Sequence, residues 1–312
     1  MLSNGTELMK HFRLPRFENH GASHCRRSPM NIVFGLILPL AIFATTARPS
    51  VAEEGIPRKD IQSGAVVEDD ESTVAEPFGD KWNFQLGGGA LNSARYPGSR
   101  YDFTRVVPLV SISYGRYFIG AVPGGGAPAG LGAYLVRTEH WAVGLDVGGD
   151  SRKPRRASDD PILRGWGDIS STVRGGIFAS YNIDWLSVRG AVSLGGHHEG
   201  VLASLGVVAK YHATPRLTLS IGPELTWVNA QYAMTFFGID PAQSEIAGVG
   251  PYRAGSGINS LGGVADASYL ITEHWSVAAH VSYGRLQGDA ADSPVTTDKT
   301  QRVYGGFVMY RF

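Results

Sequence analysis

Several polar clusters in the sequence have the residue types to do chemistry. His197-His198-Glu199 sets two imidazoles beside a carboxylate, the donors of a transition-metal site or of a poised general base. Neighbouring strand residues point to opposite faces, so these imidazoles do not converge, and a solvated extracellular turn is the preferred reading. Thr138-Glu139-His140-Trp141 recurs as Thr272-Glu273-His274-Trp275. The repeat reads either as one turn solution used twice or as a docking surface, formed by Glu139, His140, Glu273 and His274, for a periplasmic partner. Gly87–Gly89 and Gly124–Gly126 have the composition of phosphate cradles. Neither opens a helix, which leaves close strand packing or a loop tip. His280 and Ser282 share a strand face, yet they build no convincing hydrolase triad. The chain has no Gly-x-Ser-x-Gly, no His-Glu-x-x-His and no Walker-type loop. No catalytic residue, metal ligand or cofactor site is therefore assigned, and the protein is read as non-enzymatic.

The elements that carry these clusters are strands. In Leu217–Trp227 the residues Leu217, Leu219, Ile221, Leu225 and Trp227 alternate with Thr218, Ser220, Gly222, Glu224 and Thr226. One face suits lipid and the other water, and the same period of two recurs at Trp185–Leu194, Val201–Tyr211 and Trp275–Tyr283. The last strand, Tyr304–Phe312, runs to the final residue with apolar side chains on one face and nothing after it to cover them. A closed barrel removes that edge. Tyr310 and Phe312 form a C-terminal Tyr-x-Phe resembling the assembly signal read by the barrel assembly machinery of the outer membrane. The fold expected is all-β, a transmembrane antiparallel up-and-down barrel of the bacterial outer membrane, with twelve strands and ten as the alternative count. Short turns at Gly115, Thr138–His140, Asn182–Asp184, Ala213–Arg216 and Thr272–His274 fall on the periplasmic side, and long loops fall on the other. Trp82, Tyr114, Trp141, Tyr181, Trp185, Tyr211, Tyr269 and Trp275 gather near the short turns as an interfacial girdle. The polar face places Asp146, Arg174, Arg189, Lys210, Glu224, Asp266, His280 and Arg311 in the lumen. There they pair with one another to fill the interior, or they line a path for small solutes.

Composition agrees. Gly makes up 41 of 312 residues, well above the roughly 7% norm, and charged residues only 18%. After the N-terminal region no apolar run reaches the ~18 residues of a spanning helix. Arg26-Arg27, an apolar run Ile32–Ala44 and Ser50-Val51-Ala52 read as a signal peptide over residues 1–52, with an over-long start and Met30 as the alternative initiator. Residues 53–80 hold nine acidic and two basic residues, a composition that reads as a flexible periplasmic extension before the barrel domain at 81–312. Cys25 is the single cysteine and lies in the removed segment, which excludes disulfides and thiolate metal sites from the mature chain. Removing the six basic and two acidic residues of 1–52 from 28 of each leaves 22 basic and 26 acidic. A mildly acidic protein of this kind is not expected to bind nucleic acid. Its expected surroundings are outer-membrane lipids and lipopolysaccharide.

A set of segments carries a family resemblance. Tyr96-Pro-Gly-Ser99 is followed by Pro108-Leu109 and Tyr114-Gly-Arg-Tyr-Phe118. Later come Phe237-Gly-Ile239, Gln243-Ser244, Pro251-Tyr-Arg-Ala254, Arg285-Leu286, Gly288-Asp-Ala290 and Asp292-Ser-Pro294. Their order and spacing across the barrel resemble the MipA/OmpV family of outer-membrane proteins. The resemblance implies a scaffold that brings a lytic transglycosylase together with a bifunctional penicillin-binding protein. Other members are described as adhesins, antigens or proteins affecting antibiotic entry. A narrow pore for small solutes is the alternative, with an adhesin or an outer-membrane hydrolase behind it. No site residue transfers from the family.

Overall fold

The structure, a computed structural model, describes residues 81–121, 130–149, 154–196 and 199–312. The signal peptide with its alternative start at Met30, the acidic extension 53–80, Gly124–Gly126, His197 and His198 lie outside these residues.

Twelve antiparallel strands close into one barrel. They are β1 (Asn83–Ala94), β2 (Asp102–Tyr114), β3 (Tyr117–Gly120), β4 (Gly130–Arg137), β5 (Trp141–Gly149) and β6 (Val173–Ile183), then β7 (Leu186–Gly195), β8 (Gly200–Thr214), β9 (Leu217–Val228), β10 (Gly257–Leu270), β11 (Trp275–Leu286) and β12 (Thr300–Arg311). Each strand pairs with the next in sequence, and β12 returns to pair with β1 through Gln85↔Arg311 to Ser93↔Val303. That last pairing leaves no sheet edge to bind another chain. The strands form because the apolar period is two. On the outer face Leu86, Val106, Val110, Leu131, Leu145, Ile177, Leu194, Leu205, Ile221, Val281 and Val308 are all exposed, an apolar band that only lipid would cover. Among the described residues no helix is long and apolar enough to cross a membrane.

One end of the barrel carries turns of two to four residues between β2–β3, β4–β5, β6–β7, β8–β9 and β10–β11. Gly115 takes positive φ in the first of them, a two-residue turn. The other end carries the long connections, two of which hold α-helices: α1 (Ala230–Phe237) and α2 (Pro241–Ala247) between β9 and β10, and α3 (Gly288–Asp292) between β11 and β12. Asn229 caps α1 by accepting from Tyr232 N. Asp240 and Gln243 form a capping box on α2, with Pro241 in the first turn.

These loops fold over the mouth. Tyr232, Ala233, Phe236 and Phe237 of α1 and Ala290 and Ala291 of α3 are buried against inward-facing rim residues Leu202, Val228 and Leu286. A second apolar core joins four loops through Tyr96, Leu163, Trp166, Ile239 and Val295, each no more than 3% exposed. Burying this much side chain is what holds separate loops together, at about 25 cal/mol per Å² of apolar surface.

Candidate functional site

The short turns are built twice to one plan. In each, the tryptophan N–H donates to the threonine hydroxyl, Trp141 to Thr138 Oγ1 and Trp275 to Thr272 Oγ1, both at 3.0 Å. The threonine N–H returns to the tryptophan carbonyl at 2.8 Å and 3.2 Å respectively. The histidine carbonyl accepts from the next strand, His140 from Asn182 N and His274 from Arg311 N, both at 2.8 Å. Trp141 packs on Tyr181 and Trp275 on Tyr310 with ring centroids 5.0 Å apart in each case. The imidazoles lie against the same tyrosines, His140 at 5.9 Å and His274 at 5.6 Å. Glu139 and Glu273 are exposed beside them. The turns are thus fixed backbone frames that hold a carboxylate and an imidazole in water while tryptophan and tyrosine sit at the membrane interface.

Inside the barrel, strand alternation puts Asp146, Arg174, Arg189, Lys210, Glu224, Asp266, His280 and Arg311 on the inner face. The structure brings only some of them together. His280 Nδ1 lies 2.6 Å from Asp266 Oδ1, and Ser220 Oγ donates to Asp266 Oδ2 at 3.3 Å. Lys210 Nζ and Ser187 Oγ both donate to Asn182 Oδ1, at 3.4 Å and 2.7 Å. Arg174 meets Glu199 at 3.7 Å and lies over the Tyr232 ring at 5.7 Å. Glu199 corrects the reading of a solvated turn, because it is 1% exposed. Gly195 opposite it leaves the space for its side chain, and the Arg174 guanidinium supplies the charge that makes burial tolerable. Asp146 departs from the expected pairing. It is 6% exposed, its oxygens accept no hydrogen bond among the described residues, and its cross-strand neighbours are Gly132 and Gly176.

Alternation also turns apolar side chains inward. Leu91, Val107, Leu109 and Phe307 form one buried cluster on β1, β2 and β12. Phe118, Phe178 and Ala191 form another with Tyr134, whose ring lies 5.0 Å from Phe118 and 5.7 Å from Phe178. A β-carbon on Gly132 or Gly144 would run into the Phe118 or Phe178 ring, so these glycines are the sockets for the aromatics. The pairing of an inward aromatic with a glycine on the adjacent strand is the sequence signal for them.

Above the lumen, polar ties lock the lid. Arg155, 3% exposed, donates to the Phe236 carbonyl at 3.1 Å, and Ser293 Oγ donates to the Phe237 carbonyl at 2.6 Å. Gln243 Nε2 donates to the Trp166 carbonyl at 3.0 Å, and the Tyr96 hydroxyl lies 3.4 Å from Asp160 Oδ2, which Arg100 approaches at 3.6 Å. Burial pushes the Tyr96 phenol up to about 12, with Asp160 adding to the rise and the Thr297 hydroxyl opposing it. Burial likewise draws the Arg155 guanidinium below its ordinary range. Among the described residues no three His, Cys, Asp or Glu side chains stand close enough to hold a metal ion.

Residues 86–312 match the model of the family described as MltA-interacting protein MipA. The chain belongs to the MipA family. A MipA-family barrel with a closed sheet and an apolar outer band is a protein of the bacterial outer membrane. No curated protein matches the chain. Among solved structures it is similar to the outer-membrane OmpT of Vibrio cholerae, at 8% identity and a TM-score of 0.34, over 74% of this chain and 97% of that one. It is similar to the outer membrane channel DcaP of Acinetobacter baumannii at 8% identity and a TM-score of 0.38, over 74% and 96% of the two chains. The NanC porin gives 10% identity and a TM-score of 0.38 over 73% and 100%.

Proposed function

We propose that this MipA-family barrel is a non-enzymatic interaction protein that holds peptidoglycan-remodelling enzymes at the periplasmic face of the outer membrane. The observation that carries the reading is the folded lid: buried apolar cores from four loops lie across the extracellular end, while the opposite rim displays rigid, polar turns. The family description names an interaction with MltA, which supports a lytic transglycosylase as the partner. The test is binding of a purified MltA-type lytic transglycosylase to the barrel immobilised in lipid nanodiscs, against an unrelated barrel as control. Saturable binding to this barrel alone is expected. Equal binding to both, or none, sinks the reading.

A second reading, a narrow pore, is favoured by one observation. The lumen wall carries Arg189, Lys210, Glu224 and Asp266, and the Asp146 carboxylate is buried without a hydrogen bond among the described residues. Such a wall suits a small charged solute. Conductance of the intact barrel in planar bilayers separates the two readings.

A further inference from the structure

The two Thr-Glu-His-Trp turns stand on opposite sides of the rim. One joins β4 to β5 and the other β10 to β11, and six of the twelve strands separate them in either direction around the barrel. Twelve strands ~4.8 Å apart and tilted about 40° give a barrel roughly 24 Å across, which is the span between the turns.

The correspondence extends beyond the turns. Trp82 precedes β1 as Trp185 precedes β7, and all four tryptophans of the set, with Trp141 and Trp275, are at least 45% exposed. Tyr114 ends β2, and Tyr211 stands near the end of β8. Arg116 lies in the turn after β2 and Arg216 in the turn after β8. Both carbonyls accept from the following hairpin, though at different registers: Arg116 from Tyr134 N, four residues before Thr138, at 2.8 Å, and Arg216 from Leu270 N, two residues before Thr272, at 2.9 Å. Five residues after the tryptophan, Asp146 and His280 occupy the same place on opposite inner walls. The copies part at the β4 bulge between Tyr134 and Val136, since β10 pairs with β11 without a break from Ser260 to Leu270. At the rim, β1–β6 and β7–β12 are therefore two halves related by a pseudo-two-fold axis along the barrel. Each half presents the same exposed sequence of groups, an arginine and then a carboxylate beside an imidazole one hairpin further on.

We propose that the periplasmic rim carries two equivalent docking sites and seats two copies of one partner domain about the barrel axis. A surface with two-fold symmetry is matched by a partner with the same symmetry, because every contact made at one site is then available at the other. Each copy would meet Glu139 or Glu273 with a basic group and Arg116 or Arg216 with an acidic one. Exposed ion pairs are individually weak, so each site relies on its arginine, carboxylate and imidazole acting together, and the two sites fill independently. The proposal rests on the interaction reading above and deepens it by fixing the geometry and the number of partners.

The experiment measures the number of bound copies by native mass spectrometry of nanodisc complexes, with a purified MltA-type lytic transglycosylase as the probe. Four barrels are compared: the parent, E139K/H140A, E273K/H274A and the variant carrying all four substitutions. Folding of each is checked by the heat-dependent gel shift of the barrel, since these side chains are exposed and outside every buried cluster. The expected result is two copies on the parent, one on either two-residue variant and none on the four-residue variant. One copy on the parent that only one of the pairs removes would overturn the symmetric arrangement. Undiminished binding to the four-residue variant would overturn the docking turns while leaving the interaction reading standing. A parent that binds no copy removes both.

Discussion

Tyr96 is the side chain at which the lid is most exposed to chemical test. Its ring is 2% exposed in the core formed by Leu163, Trp166, Ile239 and Val295, and its hydroxyl lies 3.4 Å from Asp160 Oδ2 and 3.5 Å from the Val295 carbonyl, with Thr297 also acting on it. The folded lid holds the phenolic proton more tightly than an opened one, since burial raises the group from 10.0 to about 12. The stability this contributes is whole below pH 10 and is lost as pH rises toward about 12. Two pKa units correspond to roughly 3 kcal/mol. Limited proteolysis of the loops should therefore accelerate between pH 10 and 12 while the strands stay protected. In Tyr96→Phe the acceleration should be largely gone, at a cost of about 1 kcal/mol for the lost hydroxyl contacts at neutral pH. An unchanged alkaline profile in that variant would mean another group opens the lid.

Between strands, the inner wall is held by aromatics seated on glycines. The nearest atoms to a β-carbon placed on Gly132 all belong to the Phe118 ring, the far end of a side chain and not backbone. Gly132→Ala should then cost about 1–3 kcal/mol by overpacking, and Phe118→Ala about 3–5 kcal/mol by leaving a hole. The double variant should lose less than the sum, because the added methyl occupies part of the space the ring vacates. Strict additivity in denaturant unfolding would show that the two residues do not share a site. The same packing explains what the sequence made legible and what it did not. Period-two alternation with one polar face, as in Leu217–Trp227, gave strands such as β9 and β11 to the residue, together with the inner placement of Glu224 and His280. Where both faces are apolar, as at Val106–Val110, alternation is silent about which residues face in, and the Leu91–Val107–Phe307 cluster was not foreseen. Glu199 was misread for a related reason. Its burial depends on Arg174, which reaches it from β6 and which no pattern local to the turn reveals, as well as on the nearby Gly195. The helix α2 was readable in principle, because Asp240-Pro241-x-Gln243 is a capping box with proline in the first turn.

For the molecule as a whole, the decisive quantity is how much of the seal the lid supplies. The lumen below it has polar stretches along β7–β11 and apolar clusters along β12–β2 and β3–β6, so the inner wall alone does not divide a plugged barrel from a conducting one. The α1–α2 segment does divide them. It contributes Tyr232, Ala233, Phe236 and Phe237 to one core and Ile239 to the other, and it receives ties from Arg155 and Ser293 in two different loops. Replacing residues 230–254 by a short Gly-Ser linker removes these contacts but leaves β9 and β10 paired from Gly257↔Val228 onward. The intact barrel should be silent in planar bilayers, and the lid-deleted barrel should conduct in discrete steps. Its selectivity between cations and anions should be weak, because Arg174, Arg189, Lys210 and Arg311 on the inner side are opposed by Asp146, Glu199, Glu224 and Asp266. Equal conductance before and after deletion would mean that the lid seals nothing and would favour the pore. Silence in both would place the block at the inner aromatic clusters, where Phe178→Ala combined with the deletion should then open it.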